Sequence, residues 1–200
     1  NVIGTLNVLL AARAAGVRRL VHTSSSEVYG TALHVPIAED HPLQGQSPYS
    51  ASKIAADKLA ESFYCAYNLP VVTLRPFNTY GPRQSARAVI PTIFMQALTR
   101  PVLRLGNLDA RRDWGWAPDY VRAMWLMLQA DRPENWVVAT GETHSVADFC
   151  RIAFDHVGLD WQKHVVLDPQ FVRPAEVDLL VGDASKARRE LSWQPTKSFG

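Results

Sequence analysis

The sequence predicts an α/β protein, in which a parallel sheet covered by helices is followed by a smaller mixed α/β lobe. Two observations carry that reading. Helical periodicity and short β-branched runs alternate over residues 1–75 with brief connections, the rhythm of a parallel sheet with covering helices. No linker rich in Gly or Ser then divides the 200-residue chain, so its remainder reads as a lobe packed on the first half. The division is placed at 1–83 and 84–200.

Each element has its own signal. In residues 1–15, Val2, Leu6, Leu9, Leu10 and Ala14 recur at helical spacing, and Gly16 ends the run. Residues 19–23 follow as a short buried strand. Residues 31–47, rich in Pro, His and acidic side chains, read as a loop. The next helix spans 49–67, with Ile54, Leu59, Phe63 and Ala66 on its apolar side. Residues 71–75 form a β-branched strand that Pro76 stops. Further on, 87–98 reads as helix, 102–105 as extended, and 119–130 as helix with Asp119 at its N-cap. Residues 135–139 read as a strand that could return to the main sheet. Ser145-Val-Ala-Asp148 resembles a capping box with Asp in place of Glu, opening a helix to Val157. Residues 183–191 form a short capped helix.

Composition narrows the function. The chain is 47% hydrophobic and 20% charged, as in ordinary globular domains. A net charge of +2 gives no basis for a nucleic-acid or acidic-membrane partner. No apolar run is long enough to span a bilayer. Cys65 and Cys150 lack metal or redox spacing, so no disulfide framework and a reducing, cytoplasmic setting are expected. The six histidines show no ligand spacing, and no metal is expected. Trp125, at helical spacing, and Trp193, before Pro195, read as packing residues.

Chemistry concentrates at two strand ends. Tyr49-Ser-Ala-Ser-Lys53 places a phenol and an ammonium on one helix face. A free tyrosine, with a pKa of about 10, is a poor base at neutral pH, and a nearby cation stabilises its phenolate. That spacing alone occurs by chance on many helices. Ser24-Ser-Ser-Glu27 strengthens it: Ser25 and Ser26 bring hydroxyls to the end of the first strand, and Glu27 a carboxylate able to remove a carbon-bound proton. Phe77-Asn-Thr-Tyr-Gly-Pro-Arg83 ends the next strand and offers Asn78 and Arg83 to a polar ligand. In such sheets chemistry gathers beyond the carboxyl ends of the strands. In the second half Arg112 and Arg173 are suited to bidentate phosphate contacts, and Glu176 could accept from a base or ribose edge. From spacing alone, a salt bridge of Arg112 to Asp113 or Asp119 is about as well supported. Arg87, Arg104 and Arg111 read as solvated.

Five motifs, Asn1-Val-Ile-Gly-Thr-Leu-Asn7, Ser24-Ser-Ser-Glu-Val-Tyr-Gly30, Ser47-Pro-Tyr-Ser-Ala-Ser-Lys53, Arg75-Pro-Phe-Asn-Thr-Tyr-Gly-Pro-Arg83 and Arg112-Asp-Trp, together resemble the extended short-chain dehydrogenase/reductase superfamily. Within it the chain is similar to the nucleotide-sugar 4,6-dehydratases and epimerases. The resemblance implies a Rossmann-like doubly wound sheet, here its carboxyl-terminal part in 1–83, with a nucleotide-sugar-binding lobe in 84–200. It implies Ser25, Glu27, Tyr49 and Lys53 as catalytic residues and Tyr49, Lys53 and Arg83 against the dinucleotide. It implies Ser26, Asn78, Arg112, Arg173 and Glu176 against the substrate. The implied reaction starts with Tyr49 taking the C4 hydroxyl proton as that carbon is oxidised. Glu27 then removes the C5 proton as water leaves C6, and the dinucleotide is recycled.

The resemblance also weighs the alternatives. Ser25-Ser26-Glu27 replaces the Thr-Asp-Glu of deoxythymidine-diphosphate-glucose dehydratases, which takes away a carboxylic general acid. Simple epimerases usually lack a carboxylate here, so Glu27 favours dehydration over 4-epimerisation. The motifs of residues 105–178 resemble guanosine-diphosphate-mannose 4,6-dehydratases. The loop at 35–47 and the run at 83–91 are closer to uridine-diphosphate-N-acetylglucosamine 4,6-dehydratases. The mannose-like half leans to NADP over NAD. No G-x-G-x-x-G occurs, and the opening helix lies mid-domain in the superfamily. The chain is thus expected to be part of a longer, homo-oligomeric protein, and by itself could be an inactive nucleotide-sugar-binding fragment.

Overall fold

Helices α1 (Val2–Ala14) and α2 (Pro48–Tyr67) flank the first strand, β1 (Leu20–Thr23), in sequence and cover one face of the sheet it enters. The structure is a computed structural model that describes residues 1–99, 101–172 and 177–199. After β2 (Val71–Pro76) come β3 (Asn78–Tyr80), α3 (Val89–Thr99), β4 (Leu103–Leu105), β5 (Arg111–Arg112) and β6 (Trp114–Trp116). Then follow α4 (Ala117–Gln129), β7 (Asn135–Val138), β8 (His144–Ser145), α5 (Val146–His156), α6 (Trp161–His164) and β9 (Val165–Leu167). β10 (Leu179–Leu180) and α7 (Ser185–Leu191) complete the order.

The main sheet runs β1-β2-β7, parallel throughout, with Leu20 opposite Val71 and Thr73 opposite Asn135. β2 is its centre, and Val71, Val72, Thr73, Leu74 and Arg75 are all buried, which is why the strand reads as a continuous apolar run and not an alternating one. On one face Leu9 and Ala12 of α1 pack with Ala60 and Phe63 of α2 over Val71. On the other, Tyr120, Ala123 and Met127 of α4 join Ala187 and Leu191 of α7 over Val72, Leu74 and Trp136. Helices on both faces make the sheet doubly wound, as expected. The lobe has a separate core of Ile93, Leu103, Trp114, Phe149, Cys150 and Phe154. Around it lie three small sheets: β10-β5-β8, β3-β6 and β4-β9.

Local signals account for most element ends. Ser47 caps α2 reciprocally with Ser50, Pro48 stands in the first turn, and Asn68 closes the helix in the left-handed conformation (φ 51°). Ser145 and Asp148 form the anticipated box on α5. Three expectations need correction. Pro118 opens α4 earlier than expected, after Trp116, so Asp119 lies in the first turn. Its carboxylate accepts instead from the amide and hydroxyl of Thr196, at 2.8 and 2.7 Å. The cap of α7 comes from Asp183, which accepts from the Ser185 amide at 2.8 Å while Ala184 holds the N-cap position. Trp125 is 61% exposed and not packed. The run Ala123-Met-Trp-Leu-Met127 is apolar all round, so spacing could not choose the inward face.

Candidate active site at the carboxyl end of the main sheet

β1 ends in Ser24 and turns into a 3-10 turn over Ser26–Tyr29. Ser25 caps that turn in extended conformation, and its Oγ accepts from the Glu27 amide at 3.2 Å. The bond leaves the Ser25 hydroxyl proton for another acceptor. One turn thus holds Ser25 and Glu27 together, with Ser26 buried beneath.

Helix α2 is tied to the same strand end. Ladder bonds from Leu20 and Ser24 run to Pro70 and Leu74, so by alternation the Thr23 carbonyl faces the open side of β1. Lys53 donates to it at 2.9 Å. An ammonium has three donors, so two remain for a ligand. Tyr49, one turn earlier on that helix face, is 48% exposed and makes no side-chain hydrogen bond among the described residues. The structure therefore brings Ser25, Glu27 and Lys53 to one strand end with Tyr49 beside them. It places Lys53 against β1 instead of against the phenol.

The other expected residues are more dispersed. Asn78 begins β3, half-buried, its Oδ1 without a hydrogen-bond partner. Arg83 is exposed and left-handed (φ 66°) after Gly81-Pro82. Arg112 is half-buried in β5, opposite His144, and donates to the Arg111 carbonyl at 3.0 Å. Arg173 and Glu176 lie outside the described residues. Arg104 and Arg111, expected to be solvated, have partners: Asp168 for the first, Thr143 and Asp148 for the second. Two surface clefts, of about 430 and 600 Å³, lie at the other end of the sheet, around Thr73, Asn135 and Lys186 and around Arg132, Trp136 and Glu190.

Two buried carboxylates were missed in the sequence. Asp57 of α2 accepts from His22 Nε2 of β1 at 3.0 Å and from Arg75 Nε of β2 at 3.2 Å. Its position four residues beyond Lys53, on the same helix face, was the available signal. Asp113 is fully buried between β5 and β6 and accepts from the amide and hydroxyl of Thr140 and from the amides of Gly141 and Gly182. Burial pushes the Asp113 carboxyl above the usual range, against the pull of those hydrogen bonds. For Asp57 burial also raises the pKa, but the hydrogen bonds, His22's first, and the Arg75 charge outweigh it and hold the carboxyl below 3.8. A depressed acid stabilises the fold above its unfolded pKa and loses that contribution as pH falls through the folded value. Wild-type protein should therefore melt above an Asp57→Asn variant at pH 7, and the gap should close as pH falls below 3.8. Melting curves of both across pH 2 to 7 check this; a gap independent of pH would remove the assignment.

Fold and site together define an α/β protein of the extended short-chain dehydrogenase/reductase class. A family model described as GDP-mannose 4,6 dehydratase matches residues 1–200. The chain belongs to that family. It is 40% identical to GDP-mannose 4,6 dehydratase of Homo sapiens over 224 aligned residues, covering 98% of this chain and 60% of the relative. It is 41% identical to GDP-mannose 4,6 dehydratase 1 of Arabidopsis thaliana, covering 98% and 57%. The chain thus spans about 60% of the length of such relatives. Among solved structures it superposes on a dTDP-glucose 4,6-dehydratase of Streptomyces venezuelae, determined with NAD bound. The TM-score there is 0.91, at 34% identity over 100% of this chain and 62% of the other. A UDP-glucose 4-epimerase of Thermotoga maritima gives a TM-score of 0.90 at 27% identity, over 98% of this chain and 64% of the other. Among the described residues no helix is long and apolar enough to cross a membrane.

Proposed function

We propose that this chain carries the catalytic residues and much of the sugar-nucleotide site of a 4,6-dehydratase acting on GDP-mannose. The observation that carries the reading is the 2.9 Å bond from Lys53 to the Thr23 carbonyl, which fixes the tyrosine-bearing helix against the strand end that presents Ser25 and Glu27. In this reading Tyr49 takes the proton from the C4 hydroxyl, and the Ser25 hydroxyl donates to the reacting oxygen. Glu27, held by its turn, takes the C5 proton once C4 is a ketone. Arg112 faces the diphosphate with Asn78, and Ser26, Arg173 and Glu176 complete the substrate contacts.

The donor set suits a nicotinamide dinucleotide: two ammonium donors of Lys53 and the Tyr49 hydroxyl are available to ribose oxygens, and Arg83 is an exposed cation. Such a group, when bound, supplies the reversible oxidation of C4. The mannose-nucleotide relatives match across both halves of the chain, which favours that sugar over N-acetylglucosamine. Glu27 favours elimination over epimerisation. NADP is the preferred dinucleotide on the same sequence grounds, and a homo-oligomer the expected assembly.

The test uses the full-length protein, supplied with NADP or NAD and either GDP-mannose or UDP-N-acetylglucosamine. Mass spectrometry should show loss of one water from the mannose nucleotide. An unchanged mass with inverted C4 would make it an epimerase, and inertness toward both sugars with dinucleotide bound would overturn the reading.

A further inference from the structure

One buried network touches every element that presents a candidate catalytic group. Asp57, 4% exposed, stands one turn beyond Lys53 on α2 and holds His22 of β1, the residue before Thr23. The other oxygen of Asp57 holds Arg75 Nε on β2. Arg75 Nη1 continues to the Tyr29 hydroxyl at 3.3 Å and to the Glu39 carbonyl at 3.2 Å. Tyr29 is the last residue of the turn that carries Glu27, and it is fully buried, edge-on to His41 and stacked on Phe77. From Asp57 the chain of contacts reaches the helix of Tyr49 and Lys53, the strand leading to Ser25, and the turn of Glu27.

These side chains are buried, so substrate contact is closed to them. Nor does stability explain them well, since a buried ion pair often contributes no more than apolar residues of the same volume. What a planar guanidinium adds is fixed geometry toward several acceptors at once.

We propose that Arg75 and Asp57 are positioning residues, which set the catalytic helix and the glutamate turn in register with each other. The inference rests on the proposed dehydratase reading for its kinetic arm alone. Two variants separate positioning from stability. Tyr29→Phe keeps the ring packing and removes only the phenolic oxygen. Arg75→Lys keeps a charge for Asp57 but cannot also reach Tyr29 and Glu39.

Both variants would be prepared in the full-length protein and followed by melting, steady-state kinetics and amide hydrogen exchange. Misplacement of a reacting group by about 1 Å can cost on the order of 10²-fold. Arg75→Lys should therefore lower kcat by roughly that factor, and Tyr29→Phe by about tenfold, with KM within about twofold of wild type. Exchange should quicken at residues 26–30 in both, and at 49–53 in Arg75→Lys, while the α5 amides keep their protection. Unchanged kcat with unchanged exchange would overturn the proposal. So would a uniform rise in exchange with activity falling in step with the melting temperature, which would make the network a stabiliser only. If Arg75→Lys does not fold, Tyr29→Phe decides. If the wild type turns over no nucleotide sugar, the functional reading fails, and the exchange pattern still decides whether the network sets the register.

Discussion

Glu27→Gln in the full-length protein is expected to oxidise GDP-mannose at C4 and go no further. The variant keeps the Ser25-capped turn, because the capping bond uses the Glu27 amide and not its side chain. It loses only the proton acceptor. Water loss should fall by roughly 10²- to 10⁴-fold, the usual contribution of a positioned general base. A 4-keto sugar should be trappable by hydroxylamine in a single turnover, and deuterium from solvent should no longer enter at C5. Tyr49→Phe is expected to fail one step earlier, with no trappable ketone at all. Full dehydratase turnover by Glu27→Gln would remove the residue from the mechanism, and a ketone formed by Tyr49→Phe would move the first proton transfer elsewhere.

The largest structural effect is expected at Asp113. Its two oxygens receive four donors: Oδ1 takes the amide and hydroxyl of Thr140, Oδ2 the amides of Gly141 and Gly182. Asparagine can supply only one of those oxygens. If it serves Thr140, its NH2 group faces two backbone amides that have no other acceptor. Each buried donor left unpaired costs about 1–3 kcal/mol. Relief from burying a charge offsets part of this, so Asp113→Asn should destabilise by about 2–4 kcal/mol and lower Tm by roughly 5–15 °C for a chain of this size. A Tm within about 2 °C of wild type would show that the four bonds contribute little net stability. Because Arg112 precedes Asp113 and Thr143 anchors Arg111, a weaker sugar-nucleotide KM should accompany the loss.

How much of this was readable in the chain depended on the range of each interaction. β1, β2 and β7 are β-branched or apolar runs with neighbouring breakers, and they stand where expected. The boxes at Ser47 and Ser145 are local, and Ser145 was legible as such. β3, β5, β6, β8, β9 and β10 were not, since strands of two or three residues are defined largely by their partners and not by their own pattern. The site divides the same way. Ser25 with Glu27 and Tyr49 with Lys53 are short-range pairs, visible as motifs. The network beneath them joins residues 18, 35 and 46 positions apart, and Arg75 gave little sign of itself beyond a charge at the end of an apolar strand.

The return of β7 to the main sheet has a bearing on how the molecule comes into being. β7 lies directly against β2, with Thr73 facing Asn135 about sixty residues later, and everything from β3 to α4 is threaded between two neighbouring strands. On a ribosome adding about 5–20 residues per second, β2 emerges seconds before the strand that will cover its flank. Until then its buried-type surface of Val72 and Leu74 has α4 alone to cover it, since Trp136, Val138 and the α7 residues Ala187 and Leu191 are all still to be made. Over that interval the chain carries incompletely covered apolar surface, the kind of exposure that makes folding intermediates prone to aggregate.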